Sequence, residues 1–156
     1  MSKSAFTGGC QCGALRYSVH SFGRASICHC RMCQKAFGNY FAPLVDVDGF
    51  VWERGTPSMY ASSNISNRGF CSLCGTPMIL ETDGAIELAI ATLDQPKSIV
   101  PDYQCNLKDR ILDVKGYGEI PEASQNRKEE NDLWNARVIS YQHPDYPTDS
   151  TGEIKR

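Results

Sequence analysis

Short apolar or alternating stretches, separated by turn residues such as Gly, Asn and Asp, run through the first two thirds of the chain. Each stretch is four to eight residues long, which is typical of β-strands rather than of helices. The predicted strands cover residues 14–19, 41–47, 50–53, 68–71, 78–82 and 86–93. The pattern therefore predicts a mostly β domain of short antiparallel strands.

Two dipeptides predict how some of these strands are connected. Asp48-Gly49 and Asp83-Gly84 are typical of tight β-hairpin turns, and each lies between two predicted strands. Pro43 has no N–H to donate to a sheet ladder, which predicts that the strand over 41–47 lies near a sheet edge.

Helical patterns are weak in this sequence. Residues 33–37 predict one helical turn or slightly more, and residues 131–140 are weakly helical. Residues 121–132 are polar and predict a surface loop, and residues 147–156 are expected to fray. We therefore predict a single domain over 1–156, with its core over about 5–115 and a C-terminal extension after about 120.

Composition and charge limit the classes of protein to which this chain can belong. A chain of 156 residues with 41% hydrophobic and 22% charged residues is typical of a globular protein that buries a core without disulfides. Lys and Arg are scattered and the net charge is −2, which argues against a nucleic-acid partner. No signal peptide or membrane span is visible, so we predict a cytoplasmic protein without a membrane partner. The oligomeric state is left open.

Eight cysteines in such a chain indicate metal binding or redox chemistry, because disulfides do not persist in the cytosol. Seven of them fall into three motifs: Cys10-x-Cys12, Cys28-x-Cys30-x-x-Cys33 and Cys71-x-x-Cys74. Each two-cysteine knuckle supplies half of a tetrahedral zinc site, so the simplest partition joins the first and third motifs into one closed site. A redox pair is disfavoured because no βαβ context surrounds it.

The remaining triplet, Cys28, Cys30 and Cys33, leaves the fourth position of a tetrahedral zinc undecided. If Cys105 or a histidine fills it, the site is structural; if water or substrate fills it, the site is catalytic, because catalytic zinc keeps an open position. His29 lies between two ligands, and in an extended stretch its side chain points away from theirs. A lone cysteine such as Cys105 commonly behaves as a small buried apolar residue. Both completions remain open.

Three sequence blocks resemble the glutathione-dependent formaldehyde-activating enzyme family, also called the centromere-protein-V/formaldehyde-activating domain. They are GCQCGALRY over 9–17, CHCRMC over 28–33 and RGFCSLCGTP over 68–77. They occur in the family's order and lie within about residues 5–115. The resemblance implies a β-tent fold of short antiparallel sheets with zinc knuckles, like that of the Rab exchange-factor chaperones.

The resemblance also implies two zinc ions per chain. A structural zinc is expected at Cys10, Cys12, Cys71 and Cys74, and a catalytic zinc at Cys28, Cys30 and Cys33. The founding activity of the family condenses formaldehyde with glutathione to S-(hydroxymethyl)glutathione, which is a carbon–sulfur lyase reaction in reverse. We therefore expect a zinc-dependent carbon–sulfur lyase-type enzyme that acts on an adduct of glutathione, or another small thiol, with formaldehyde or a related small aldehyde.

Glutathione carries two carboxylates, so its pocket should offer cations or backbone N–H groups. Arg31 lies beside the triplet and is the candidate for a glutathione carboxylate, while Lys35 nearby can equally be a solvated charge. Arg68 lies beside the third motif and can instead hold the hairpin together. The alternative to an enzyme is a non-enzymatic zinc-stabilised binding or chaperone-like module on the same scaffold.

Overall fold

The computed structural model describes residues 6–149 and confirms the mostly β prediction. Ten strands are present in this part of the chain: β1 (Phe6–Gly9), β2 (Arg16–Val19), β3 (Ser21–Cys28), β4 (Ala42–Asp48), β5 (Val51–Arg54), β6 (Ser58–Ala61), β7 (Ser66–Phe70), β8 (Pro77–Thr82), β9 (Ala85–Ala89) and β10 (Tyr103–Cys105). The α-helices are α1 (Arg31–Phe37), α2 (Val114–Glu119) and α3 (Gln125–Asn135), and 3-10 turns cover Ile90–Thr92, Pro96–Ser98 and Leu107–Asp109.

These strands form two sheets. The smaller sheet has the order β1-β2-β5, and the larger has the order β10-β3-β4-β9-β8-β7-β6. All pairings are antiparallel except that of β10 with β3, which is parallel. The main core draws on both sheets, and its fully buried side chains include Tyr17, Val19, Val45, Met78 and Leu88.

The predicted hairpin at Asp48-Gly49 is wrong. β5 pairs with β2 instead of β4, with Trp52 opposite Tyr17, so this turn carries the chain from the larger sheet to the smaller one. The rings of Tyr17, Phe50 and Trp52 pack together with centroid separations between 4.9 and 6.2 Å. Aromatic clusters of this kind contribute energy beyond their buried area, and they favour the distant pairing over the local hairpin.

The predicted edge position of Pro43 is also wrong, because β4 lies between β3 and β9. Pro43 is opposite Ile27 of β3, whereas β9 pairs with β4 only from Leu44 to Asp46. Pro43 therefore lies just beyond the stretch of β4 that pairs with β9. On the side facing β9, no hydrogen bond from the backbone nitrogen of Pro43 is needed.

The hairpin at Asp83-Gly84 is confirmed, and it joins β8 to β9. Both residues have positive φ, 50° and 81°, as a two-residue type I′ turn requires. β9 is shorter than the predicted strand over 86–93, because its last part forms the 3-10 turn Ile90–Thr92.

The helix α2 was not predicted, and the other two helices differ from the prediction in their bounds. α1 begins at Arg31, and α3 occupies much of the predicted loop over 121–132. The weak helical pattern over 131–140 reached only the last part of α3, because none of the residues of that helix is buried and it presents no apolar face to a core. No helix within residues 6–149 has the length and hydrophobicity needed to cross a membrane.

The chain returns to the smaller sheet after α3. The backbone N–H of His143 donates to the carbonyl of Gln11 at 2.8 Å, and Arg54 Nη2 donates to the Thr148 carbonyl at 2.8 Å. Residues 150–156, which belong to the end predicted to fray, lie outside the described residues.

A buried ion pair fastens β2 to the segment that follows the 3-10 turn Ile90–Thr92. Arg16 donates to both carboxylate oxygens of Asp94, at 2.9 and 2.5 Å, and the two side chains are only 7% and 8% exposed. We expect Asp94→Asn to lower the free energy of unfolding by about 3–5 kcal/mol, because it leaves the Arg16 charge buried without a counter-ion. Urea denaturation measures this loss.

The exposed pair between Arg127 and Glu130 provides the matched control for that substitution. Glu130→Gln should cost less than about 1 kcal/mol, because solvent screens an exposed pair. Equal losses in the two variants would contradict a structural role for the Arg16–Asp94 pair.

Candidate functional site

The first and third cysteine motifs meet where the two sheets approach each other. Cys10 and Cys12 lie in the turn between β1 and β2, and Cys71 and Cys74 lie in the turn between β7 and β8. The four Sγ atoms all lie within 4.8 Å of one another, with Cys10 to Cys12 at 3.6 Å and Cys12 to Cys71 at 3.8 Å. A tetrahedral zinc with bonds of about 2.3 Å separates its sulfurs by about 3.8 Å, so this cluster fits the ion.

Hydrogen bonds and burial set the protonation of this four-cysteine cluster. Burial raises the pKa of Cys10 to about 12, although the Leu15 N–H donates to its sulfur at 3.2 Å. Burial also acts to raise the pKa of Cys74, but the hydrogen bonds from Thr76, Cys12 and Cys71 together outweigh it and lower that pKa to about 6. Thiols crowded in this way lose all of their protons together when a cation offsets the charge, as a metal ion does.

The second motif forms a separate cluster at the junction of β3 and α1. Cys28 is the last residue of β3, Cys30 is the N-cap of α1, and Cys33 lies in the first turn of that helix. Their Sγ atoms lie within 4.8 Å of one another, and the Cys33 N–H donates to Cys30 Sγ at 3.4 Å. Cys28 and Cys33 are buried and Cys30 is half-buried, so the cluster meets solvent on the Cys30 side.

Two distant side chains donate hydrogen bonds to this triplet. Asn106 Nδ2 lies 3.3 Å from Cys28 Sγ, and Arg68 Nη2 lies 3.2 Å from Cys33 Sγ. The hydrogen bond with Cys33, followed by those from the Cys30 backbone and from Asn106, lowers the pKa of Cys28 to about 4 against the effect of burial. The bond with Cys28 and burial raise the pKa of Cys33. Donors aimed at sulfur are the surroundings expected of thiolates that ligate a metal.

His29 contributes no atom to the sulfur cluster. Its side chain is fully buried, and Nε2 lies 2.9 Å from Gln104 Oε1. Its backbone N–H donates to the Cys105 carbonyl at 3.1 Å. The histidine therefore joins the loop before α1 to β10 and leaves the metal position to other groups.

Cys105 flanks the triplet without joining it. It lies opposite Cys28 in the parallel pairing of β10 with β3, and it packs against the same buried cluster. Asn106 Nδ2 is 3.6 Å from Cys105 Sγ and thus contacts both sulfurs. Cys105 is not among the sulfurs that lie within 4.8 Å of one another.

Sequence reasoning missed two amides that organise this site, Asn106 and Gln34. Gln34 is buried, and its Nε2 donates to the carbonyls of His29 at 2.7 Å and Asp109 at 2.9 Å. Its Oε1 accepts a hydrogen bond from Arg31 Nη1. A lone amide has no recognisable motif. For Gln34 the only available signal was its place directly after Cys33, and for Asn106 the sequence offered none.

A groove runs along α1 between this helix and the strands β6 and β7. Its outer cavity, of about 420 Å³, is lined on one side by Arg31 and Lys35 and on the other by Tyr60 and Ser62. Its inner cavity, of about 290 Å³, is lined by Arg68 and by apolar residues that include Phe37, Phe70, Pro77 and Ile79. Ala36 and Tyr60 line both cavities, so the groove is continuous from the cationic end to the inner end.

The sequence model of a family described as glutathione-dependent formaldehyde-activating enzyme matches residues 5–109. The chain belongs to the glutathione-dependent formaldehyde-activating enzyme family. The formaldehyde-activating region thus covers β1 to β10 and contains both cysteine clusters, and α2 and α3 lie beyond it.

A solved structure supports the fold of this formaldehyde-activating family member. The crystal structure of a Rhodobacter sphaeroides protein matches with a TM-score of 0.50 and 21% sequence identity. The match covers 63% of this chain and 98% of that chain. At this level of identity the two proteins are similar in fold, and the similarity says nothing more about activity.

Proposed function

We propose that this protein is a zinc-dependent carbon–sulfur lyase-type enzyme. Its proposed substrates are a small thiol, glutathione in the first place, and formaldehyde or a related small aldehyde. The observation that supports this best is the triplet Cys28, Cys30 and Cys33, which gathers three sulfurs, while no fourth His, Cys, Asp or Glu ligand atom among residues 6–149 lies within 4.8 Å of all three. Three protein ligands and an open position are typical of catalytic zinc sites.

The triplet is suited to activating a thiol. When bound there, zinc would supply the acidity that converts an incoming thiol to its thiolate at neutral pH. Arg68 and Asn106 donate to two of the three sulfurs and so stabilise them as thiolates. Cys30, the half-buried member, lies on the side from which a small thiol can approach.

The proposed reaction requires no redox step. A lone pair on the substrate sulfur forms the bond to the carbonyl carbon, and the π pair of the carbonyl moves to its oxygen. That oxygen takes up a proton equivalent to the one the thiol has lost. The lyase direction reverses these steps and releases the thiol and the aldehyde.

The outer cavity is the proposed place for the carboxylates of glutathione. Arg31 and Lys35 line it, and neither has a carboxylate partner within residues 6–149. Hydrogen bonds between such cations and carboxylates are charge-assisted and stronger than those between neutral groups. This charge pattern favours glutathione over an uncharged thiol.

Removing the two cations should weaken glutathione binding. In Arg31→Gln/Lys35→Gln we expect KM for glutathione to rise by about tenfold or more with kcat nearly unchanged, because each lost contact to a charged group is worth about 1.5–3 kcal/mol before solvent screening. Exchange NMR measures the rate of carbon–sulfur bond formation above the spontaneous background. With 2-mercaptoethanol, which has no carboxylate, the variant should match the wild type; an equal loss with both thiols would contradict carboxylate binding.

X-ray absorption on the zinc-loaded protein tests the open position. We expect an average of fewer than four protein sulfurs per zinc, because only one of the two sites has four cysteines. If the average is four protein sulfurs per zinc in the wild type and lower in Cys105→Ser, Cys105 closes the second site. That outcome would favour a zinc-stabilised binding or chaperone-like module over an enzyme.

A further inference from the structure

The inner cavity is larger than formaldehyde requires. It measures about 290 Å³, and aromatic rings of Phe37, Tyr60 and Phe70 contribute to its walls. An apolar cavity of about 150 Å³ holds a benzene molecule, whereas a water takes up about 30 Å³ of liquid. Formaldehyde, with its single carbon, would leave most of this apolar space unfilled.

Arg68 joins this cavity to the sulfur triplet. Its side chain lines the cavity, its Nη2 donates to Cys33 Sγ at 3.2 Å, and its Nε donates to Ser62 Oγ at 2.9 Å. The residue is only 5% exposed, yet its Nη1 has no hydrogen-bond partner among the described residues. A buried charged donor without an acceptor costs about 1–3 kcal/mol or more, so Nη1 is a donor that a ligand can satisfy.

We propose, on the basis of the function proposed above, that the preferred aldehyde carries an apolar group about the size of a benzene ring. This group occupies the inner cavity, and Arg68 Nη1 donates a hydrogen bond to the aldehyde oxygen. The outer cavity with Arg31 and Lys35 then remains for the thiol. The outer cavity thereby binds the thiol part of the adduct, and the inner cavity binds the part that comes from the aldehyde.

The chemistry gives Arg68 a role at the reacting atoms. As the substrate sulfur bonds to the carbonyl carbon, negative charge develops on the carbonyl oxygen. A buried guanidinium stabilises this charge strongly because little water screens it. The oxygen then takes up the proton equivalent released by the thiol, while Arg68 donates a hydrogen bond and keeps its own proton.

Filling the cavity tests where the apolar group binds. Phe70 lies at the end of β7 and lines the inner cavity but not the outer one, and tryptophan is also common in strands, so Phe70→Trp adds side-chain volume to the inner cavity alone. With glutathione as the thiol, we expect this variant to lose about tenfold or more of the rate enhancement for phenylacetaldehyde and about twofold or less for formaldehyde. Exchange NMR measures both rates, and Ala123→Leu, at an exposed position, should change neither.

A binding measurement tests Arg68 independently of catalysis. Phenylacetate presents a carboxylate oxygen and a benzene ring, and acetate is the matched probe without the ring. By NMR titration of the zinc-loaded protein we expect phenylacetate to bind about tenfold or more tightly than acetate, and this preference to disappear in Phe70→Trp. Arg68→Lys keeps the charge but removes Nη1, and should weaken phenylacetate binding while both zinc ions are retained.

The outcomes separate this inference from the proposed function. If formaldehyde is accelerated but phenylacetaldehyde is not, or if Phe70→Trp changes only KM for glutathione, the inner cavity does not bind the aldehyde and the inference is overturned. If neither aldehyde is accelerated, the proposed function itself is overturned and the inference with it. Acceleration of phenylacetaldehyde that is lost in Phe70→Trp and that depends on Arg68 supports both.

Discussion

Cys30→Ser is expected to reduce carbon–sulfur bond formation to its spontaneous rate. Cys30 is one of three sulfurs in the triplet, and its loss should lower the rate enhancement by more than about a hundredfold, since even residues that only orient metal ligands commonly contribute 10–100-fold. Exchange NMR at equal protein concentrations measures this loss. The zinc content should fall from two ions per chain to one.

The fold should survive this substitution, which makes the result interpretable. Cys30 is the N-cap of α1, and its sulfur accepts a hydrogen bond from the Cys33 N–H. Serine is among the preferred N-cap residues, so its hydroxyl can take over this bond while the thiolate ligand is lost. Cys105→Ser, which changes a cysteine outside the triplet, is the matched control and should keep its activity. Equal rates in wild type and Cys30→Ser would remove the enzymatic proposal.

Cys71→Ser is expected to prevent stable folding. Cys71 is buried in the four-cysteine cluster, which holds the β1–β2 turn of one sheet against the β7–β8 turn of the other. Structural zinc contributes on the order of 10 kcal/mol or more, which is comparable with the whole net stability of about 5–15 kcal/mol of a typical domain. Far-UV circular dichroism and urea denaturation should show a largely unfolded chain, and a strong chelator should have the same effect on the wild type.

Ser72→Ala is the matched control for Cys71→Ser, because Ser72 is the exposed neighbour in the same turn. The Ser72→Ala variant should have the same urea denaturation midpoint as the wild type. A Cys71→Ser protein with an unchanged midpoint and its full zinc content would show that this cluster does not stabilise the fold. The two cysteine-to-serine variants should therefore differ in whether they fold, because Cys30→Ser keeps the structure and Cys71→Ser loses it.

The grouping of the cysteines could be predicted because it depends on local spacing. Two sulfurs that are one or two residues apart in a turn can face the same ion, and each such turn supplies half of a tetrahedron. The structure gathers Cys10, Cys12, Cys71 and Cys74 in one cluster and keeps the triplet apart from it. The short strands and the Asp83-Gly84 turn could likewise be predicted, because their periodicity and turn chemistry are local.

The errors arose where distant contacts outweighed local preferences. Asp48-Gly49 is a sound hairpin signal, but packing of Phe50 and Trp52 on Tyr17 accompanies the pairing of β5 with β2. Pro43 is tolerated in a central strand because the partner strand β9 ends before reaching it. A pairing partner and its length are properties of the whole sheet, and they cannot be read from a dipeptide.

The sequence by itself determined the three local cysteine motifs and the short strands, because both follow from the spacing of neighbouring residues. Only the tertiary structure decided what surrounds the triplet. Arg68 reaches Cys33 across 35 positions of sequence, and Asn106 reaches Cys28 across 78. The inner cavity likewise exists only because α1 lies over β7 and β8. These contacts depend on how whole strands pair and pack, so no local pattern encodes them.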